Sequence, residues 1–197
     1  EPYVYGHFGQ DFKQATAMQS EGLELLTRLW TETDVEWAGE FRPPLNGVTL
    51  QPRPIQSPHP PIYIAAGSLN SAEEAARLGV NLTVTGLSAD LDSMPRMRDR
   101  YLETWEACGH RHKPQITVLA HVYCAPTSQE AYDHLRQYQA PFQAWVISKK
   151  TGTTPDKVEL PARITNFGSP ECVIACGSPQ QVLDKISQIV ELMGADR

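Results

Sequence analysis

A short turn rich in small residues has the clearest chemical meaning in this sequence. The apolar run 62–66 is followed by Gly67 and Ser68, and Ser71 comes three residues later, at the expected start of a helix. The first N–H groups of a helix have no intrahelical partner, and the helix dipole adds partial positive charge there. Glycine allows close approach to the backbone, and both hydroxyl groups can donate hydrogen bonds to phosphate oxygens. The pattern predicts a phosphate site, and an ordinary structural turn is the alternative interpretation.

The turn lies inside a predicted unit of strand, helix and strand. The run 62–66 has the length of a strand, and residues 82–85 form the second strand. Ser71 and Glu74 have the spacing of a capping box, and Gly79 is expected to end the helix. If Ser71 caps the helix in this way, its hydroxyl group is less available to a ligand.

Helices and strands alternate along the rest of the chain. Helices are predicted over 11–30, 93–108, 127–140 and 178–193, and strands over 115–124 and 172–176. The strand over 115–124 is apolar on both faces, which is typical of a parallel strand covered on both sides. This alternation favours a parallel α/β architecture, either a barrel or a doubly wound sheet.

Two segments are predicted to lack regular structure for most of their length. The proline-rich segment 43–61 is expected to be a stiff, extended surface loop with a short strand near Val48, because apolar residues such as Ile55 are interleaved with the prolines. The segment 142–169 is expected to be an irregular and solvated excursion. A polar turn is expected directly after Gly86.

Composition argues against several classes of function. The chain has 197 residues, 41% of them hydrophobic, and a net charge of -6. It has no run of basic residues, which argues against a nucleic-acid or anionic-membrane surface. The sequence shows no segment long enough for a membrane span and nothing that resembles a signal peptide, so we predict a cytoplasmic protein.

The cysteines and histidines do not show the spacing of a metal site. Cys172 and Cys176 lie in a predicted strand, too far apart to form a disulfide, and thiols in a reducing compartment are expected. The segment 108–112, which carries a cysteine and two histidines, is expected to be a solvated loop. His59 and His121 are expected to be structural, with His121 inside a buried strand.

Several pieces of the sequence together resemble one enzyme family. They are the helix 23–31, the PRPIQ and PHPPI track over 52–62, the AAGS turn, the AARLG helix over 75–79, and the GSP motif at 177–179. In order and spacing along most of the chain, they resemble the bacterial luciferase-like flavin-dependent monooxygenases. The resemblance implies a TIM barrel that uses reduced FMN or, in one branch of the family, the deazaflavin F420.

The resemblance also assigns a role to the small-residue turn. In this family the turn helps to hold the flavin phosphate, and Ser68 and Ser71 match the pair that contacts it, with Ala66 and Gly67 beside them. This chain has Gly67 where the luciferases proper carry an acidic residue, which is a departure from that branch. Catalytic residues stay unknown, because the family's N-terminal strands, which supply the catalytic histidines, have no counterpart in this sequence.

The resemblance therefore covers the C-terminal part of a barrel. We expect one incomplete α/β barrel domain over residues 1–197, without the N-terminal strands and the last strand. The expected activity is oxygenation of a small organic substrate by reduced FMN and O2. The alternatives are a non-catalytic flavin- or phosphate-binding fragment and an F420-dependent, hydride-transferring oxidoreductase. Because an incomplete barrel exposes strand edges, a homo-oligomer or a missing barrel half is the expected partner.

Overall fold

A computed structural model describes residues 2–86 and 90–195 of the chain. Close contacts group the chain into two units, Glu1–Pro61 and Ile62–Arg197. The polar turn predicted after Gly86 lies in part outside the described residues. Within the described ranges, no helix has the length and apolar character needed to cross a membrane.

In the first unit, a long helix packs on a small antiparallel hairpin. Its elements are α1 (Pro2–Tyr5), α2 (Ala15–Thr31), β1 (Val35–Trp37) and β2 (Leu45–Val48), with 3-10 helices at Gly6–Phe8 and Phe12–Gln14. Strands β1 and β2 pair antiparallel. Leu25, Val35 and Trp37 form the buried cluster that joins helix and hairpin. The predicted helix over 11–30 is confirmed from Ala15 onward. The short strand predicted around residues 48–50 is observed at Leu45–Val48, so only Val48 agrees.

The proline-rich segment after β2 is a loop, as predicted, but it bends at 51–52 and 55–58. Residues 49–62 contain neither helix nor strand. His59 packs against the ring of Trp30, with ring centroids 5.8 Å apart, and its Nδ1 donates to the carbonyl of Pro60 at 2.7 Å. His59 is therefore structural, as expected. Ile55 is fully exposed, so it does not anchor the loop.

The second unit alternates parallel strands with helices. Its elements are β3 (Tyr63–Ala66), α3 (Leu69–Arg77), β4 (Asn81–Thr85), α4 (Met94–Cys108), β5 (Ile116–Leu119), β6 (Val122–Cys124), α5 (Ser128–Thr151), α6 (Ala162–Thr165), β7 (Ala175–Gly177) and α7 (Pro179–Met193), with a 3-10 helix at Pro155–Lys157. Among the described residues, β3, β4 and β5 form one parallel sheet in that order, and β6 pairs in parallel with β7. This architecture confirms the predicted parallel α/β class.

The β3–β5 sheet has one apolar face and one polar face. Ala66, Leu82, Val84 and Ile116 are at most 4% exposed and belong to the same core cluster as buried residues of α3 and α4. The other face carries Asn81, which is 7% exposed, and residues that are half-buried or exposed; these are Tyr63, Ala65, Thr83, Thr85, Gln115, Thr117 and Leu119. The prediction that the strand over 115–124 is apolar and covered on both sides is therefore wrong for β5.

The strand predicted over 115–124 is two strands. Strand β5 pairs with β4, whereas β6 pairs with β7, and the chain changes partner at Ala120 and His121. His121 is exposed, and its carbonyl accepts a hydrogen bond from the N–H of Ala175 at 2.9 Å. The expectation of a core histidine is wrong, because residues at the change of partner are not packed between two layers.

Helix α5 is longer than the sequence predicts. The predicted capping box at its start is confirmed, since the hydroxyl of Thr127 accepts from the N–H of Glu130 and a Glu130 carboxylate oxygen accepts from the N–H of Thr127. The helix then continues through Pro141 to Thr151, before Gly152 with a φ of 69°. The predicted end before Pro141 is wrong, and so is the irregular structure predicted for 142–151. Over 152–169 the irregular structure is largely confirmed, since only a 3-10 helix and a four-residue helix occur there. Gln143 and Ser148 of the continued helix are buried.

Helix α7 begins and ends as predicted, with Gln181 accepting from the N–H of Ser178 and Gly194 in a left-handed conformation. The strand predicted at 172–176 is confirmed only for its last two residues, within β7. Half of the predicted apolar face of α7 is exposed; Val182, Ile189 and Met193 are buried, but Leu183, Ile186 and Val190 are 37–59% exposed.

The segment 108–112 is solvated as predicted, with only His110 half-buried, but its two histidine rings also contact a tryptophan. The rings of His110 and His112 lie 4.6 and 4.8 Å from that of Trp105, measured between centroids. Nε2 of His110 hydrogen-bonds to the carbonyl of Ala76 at 2.7 Å. Gly79 has a φ of 67°, and a Cβ there would lie 2.9 Å from the His110 ring, so the end of α3 requires glycine.

Candidate anion site at the start of helix α3

The small-residue turn lies at the carboxyl edge of a parallel sheet. Because β3, β4 and β5 run in the same direction, the turn at Gly67 and Ser68 and the turn at Gly86 leave the sheet at one edge. In open and closed parallel α/β folds, ligands bind at this edge. The predicted phosphate turn is therefore on the side of the sheet where a ligand is expected.

Ser68 and Ser71 cap helix α3 reciprocally. The N–H of Ser71 donates to Ser68 Oγ at 3.2 Å, and the N–H of Ser68 donates to Ser71 Oγ at 3.1 Å. The capping box predicted from Ser71 and Glu74 is wrong by one turn, because Ser68 is the N-cap and Ser71 the third helical residue. Strand β3 ends at Ala66, which places the start of the helix at Leu69.

The hydrogen bonds of the two serines give them different roles. Ser71 Oγ lies 2.9 Å from the carbonyl of Ser68 and donates to it, so its hydrogen is used inside the cap. The hydroxyl hydrogen of Ser68 can point either to Ser71 Oγ, 2.9 Å away, or outward to a ligand. Ser68 is therefore the better donor to an anion, and Ser71 holds it in place.

The first turn of α3 is open and carries no negative charge. Residues 67–70 are exposed, and no acidic residue occurs in the first turn. The N–H groups of Leu69 and Asn70 precede the first intrahelical hydrogen bonds, so they have no partner in the helix. Ala66, the last residue of β3, is only 1% exposed. Exposed amides, a hydroxyl donor and the positive helix end together suit a phosphate.

Two other helices of this unit start with capping boxes that suit an anion less well. At α5, Glu130 places a carboxylate within 2.9 Å of the Thr127 hydroxyl, so a negative charge already occupies the helix end. At α7, Pro179 is the first helical residue and has no N–H to donate. Of these three helix starts, α3 is the one with both free amides and no acidic side chain.

Acidic residues do occur in the second turn of α3, but one of them is paired. Arg77 hydrogen-bonds to Glu73, and Arg100 lies 3.5 Å from the same carboxylate. The hydrogen bond from Arg77 holds the pKa of Glu73 below its ordinary value, and the charge of Arg100 acts in the same direction. The arginines thus offset this negative charge close to the candidate site.

The polar face of the β3–β5 sheet is a feature that the sequence reasoning missed. Near the amino ends of the strands, Tyr63 hydrogen-bonds to Gln115, whose N–H donates to the side chain of Asn81 at 3.0 Å. One layer further along, the hydroxyl oxygens of Thr83 and Thr117 are 2.7 Å apart. The alternation of threonine with Leu82 and Val84 was the available signal in the sequence.

Cavities also occur beside α7, and the residues that line them lie later in the chain than the small-residue turn. One of about 330 Å³ is lined by residues that include Phe167, Ser169 and Lys185. Lys185 donates to the carbonyl of Pro170 at 2.6 Å and to Gln188 Oε1 at 2.9 Å. Burial lowers the pKa of Lys185 from its ordinary value. The described residues contain no group of three or more His, Cys, Asp or Glu side chains that could hold a metal ion.

The fold is that of a parallel α/β protein, and its candidate anion site lies at the carboxyl edge of the sheet. The family model described as luciferase-like monooxygenase matches residues 1–197. The chain belongs to the luciferase-like monooxygenase family.

Individual relatives agree with this assignment. The chain is 27% identical over 197 residues to the oxygenase component of flavin-dependent trigonelline monooxygenase from Acinetobacter baylyi. The matched region covers 95% of this chain and 54% of that protein. The chain thus spans about half the length of this curated relative.

Solved structures show the same fold. Monooxygenase RslO1 from Streptomyces bottropensis has a TM-score of 0.73 at 26% identity, covering 98% of this chain and 56% of that one. The oxygenating constituent of 3,6-diketocamphane monooxygenase from Pseudomonas putida, a type II Baeyer-Villiger monooxygenase in complex with FMN, has a TM-score of 0.69 at 20% identity, covering 99% and 59%.

Proposed function

We propose that this chain is the phosphate-anchoring part of a flavin-dependent monooxygenase that uses reduced FMN and O2 on a small organic substrate. The observation that carries the proposal is the open, uncharged capping box of Ser68 and Ser71 at the carboxyl edge of the sheet. Family membership supports the flavin chemistry, since one relative is named as flavin-dependent and one structural neighbour contains FMN.

The residues present fit the phosphate of FMN. The Ser68 hydroxyl and the N–H groups of Leu69 and Asn70 would donate to its oxygens, and Ser71 would keep Ser68 oriented. Gly67 has no side chain to obstruct the approach of the phosphate. When bound, reduced FMN supplies the electrons that activate O2. The contribution of this chain is to bind and orient the cofactor.

We also propose that residues 1–197 belong to one incomplete α/β barrel of the TIM type, without the N-terminal strands and the last strand. Within the described residues, β3 pairs only with β4 and β7 pairs only with β6. Unpaired parallel edges of this kind need a cover, either the remaining barrel strands or a second copy of the chain. Sedimentation of the purified chain tests the second possibility, because a monomer at micromolar concentration would contradict it.

The proposed phosphate anchor is tested by titration of the full chain with FMN in phosphate-free buffer, followed by flavin fluorescence. Ser68→Ala is expected to weaken FMN binding by about 10-fold or more, because a hydrogen bond to a charged group contributes about 1.5–3 kcal/mol. Thr127→Ala is the matched control, since it removes the N-cap hydroxyl of α5. Both variants are expected to lose similar stability, but only Ser68→Ala loses FMN affinity. Equal affinity in both variants would contradict the anchor.

Turnover measurements separate the proposed activity from the two alternatives. A monooxygenase consumes O2 with reduced FMN in a substrate-dependent way and inserts oxygen into the product. A non-catalytic flavin- or phosphate-binding fragment binds FMN but adds nothing to the oxygen consumption of free reduced FMN. An F420-dependent oxidoreductase prefers F420 and oxidises or reduces its substrate without O2.

A further inference from the structure

Thr85 is the last residue of β4 and lies on the polar face of the sheet, two residues after Thr83. In the register of the sheet Thr85 pairs with Leu119 on one side. On the other side Ala66 pairs with Val84, so the next residue, Gly67, lies beside Thr85. Thr85 is therefore one strand away from the turn that opens helix α3, at a spacing of about 4.8 Å.

The hydroxyl group of Thr85 differs from that of Thr83 in its hydrogen bonding. Thr83 shares a hydrogen bond with Thr117 at 2.7 Å. Within residues 2–86 and 90–195, no group hydrogen-bonds to the side-chain oxygen of Thr85, although this residue is half-buried. Its neighbours on the same face, Ala65 and Leu119, are exposed. The end of the polar face thus presents a hydroxyl group to which the described residues make no hydrogen bond, beside accessible apolar surface.

The chemistry of FMN gives this hydroxyl group a partner. FMN joins its phosphate to the isoalloxazine ring through a ribityl chain that carries free hydroxyl groups, each able to donate and accept hydrogen bonds. If the phosphate lies at Ser68, the ribityl chain starts within a few ångströms of Gly67 and can reach the neighbouring strand. We propose that the Thr85 hydroxyl hydrogen-bonds to a ribityl hydroxyl of FMN. This inference rests on the proposed function, because it takes the phosphate to bind at the start of α3.

The test compares the affinities of FMN and riboflavin, which have the same ribityl chain but differ in the phosphate. Both are titrated against the full chain and followed by flavin fluorescence. Thr85→Val keeps the shape of the side chain and removes the hydroxyl, so it is expected to weaken both flavins by a similar factor of about 3- to 10-fold. Thr83→Val is the matched control one layer away, and it is expected to change neither affinity by more than about 2-fold.

Two further variants keep the outcomes distinct. Thr85→Ser retains the hydroxyl and is expected to bind both flavins nearly as well as the unmodified chain, even if Thr85→Val proves poorly folded. Ser68→Ala is expected to weaken FMN but not riboflavin, because riboflavin has no phosphate. If Ser68→Ala leaves FMN binding intact, the proposed phosphate anchor fails, whatever Thr85 does. Two results would overturn the ribityl contact even if Ser68→Ala behaves as expected. One is that Thr85→Val binds each flavin with the same affinity as Thr85→Ser. The other is that Thr85→Val weakens the binding of FMN but not of riboflavin.

Discussion

The β3–β5 sheet presents two faces that differ in polarity and burial. Toward α3 and α4, Leu82 and Val84 are completely buried. On the opposite face, Thr83 and Thr85 of the same strand are half-buried and polar. Because side chains alternate along a strand, one five-residue strand contributes to both faces. The difference indicates that the apolar face stabilises the fold, while the polar face is available to a ligand.

The largest expected effect is on the apolar face. Leu82→Ala removes a fully buried side chain from the core cluster, so we expect a loss of about 2–5 kcal/mol in the free energy of unfolding. Urea denaturation followed by circular dichroism measures this change. A loss below about 1 kcal/mol would show that this face is not the stabilising one.

A second prediction extends the comparison to the thiols of β6 and β7. Cys124 is exposed, whereas Cys176 is 4% exposed, and burial raises the pKa of the Cys176 thiol from 9.0 to about 11, with smaller contributions from Cys172 and Cys124. Since the thiolate reacts, iodoacetamide at pH 8 is expected to label Cys124 at least about 100-fold faster than Cys176. Mass spectrometry of timed samples measures both rates.

The same raised pKa predicts a pH dependence of stability. The neutral Cys176 thiol is favoured in the folded state, so its contribution is complete below about pH 9 and is lost as the pH rises toward 11. Cys176→Ala should therefore flatten the fall in stability over that window. If Cys176→Ala leaves the pH dependence of stability unchanged, the fall in stability over this window does not come from the Cys176 thiol.

A fourth prediction concerns the helix starts and affects binding rather than folding. Ser71→Glu gives α3 the acidic third residue that α5 already has in Glu130. The helix keeps a capping box, but the carboxylate competes with a phosphate for the positive helix end. We expect FMN affinity to fall by about 10-fold or more, with riboflavin affinity unchanged. Gln181→Glu makes the equivalent change in α7 and should leave both affinities as they are.

The smallest expected effect is on the stability of the polar face. Thr83→Val removes the hydrogen bond to Thr117, and we expect a loss of about 0.5–1.5 kcal/mol in the free energy of unfolding. Urea denaturation alongside Leu82→Ala gives a direct comparison of adjacent residues. A loss as large as that of Leu82→Ala would remove the distinction between the two faces.

Local signals in the sequence predicted most helices and strands of the second unit, and long-range packing decided the rest. The pattern of Ser178, Pro179 and Gln181 was sufficient for the start of α7. Pro141 signalled the end of a helix, yet α5 continues to Thr151, and Gln143 and Ser148 of the continuation are buried. Both residues are polar, so no apolar pattern in the sequence revealed this burial.

At the candidate site, too, local signals predicted some features and long-range structure decided the others. The turn with Gly67, Ser68 and Ser71 was recognisable from its composition and from the family resemblance. Which serine caps the helix was not, because two overlapping patterns were present and the end of β3 decides between them. Thr85 was missed, since only the register of β3 and β4 places it beside Gly67.

A crystal structure of the full chain with bound FMN tests the central claim most directly. We predict phosphate oxygens within about 2.7–3.2 Å of Ser68 Oγ and of the amide nitrogens of Leu69 and Asn70. A phosphate bound elsewhere, with the Ser68 hydroxyl still directed only at Ser71, would contradict the account.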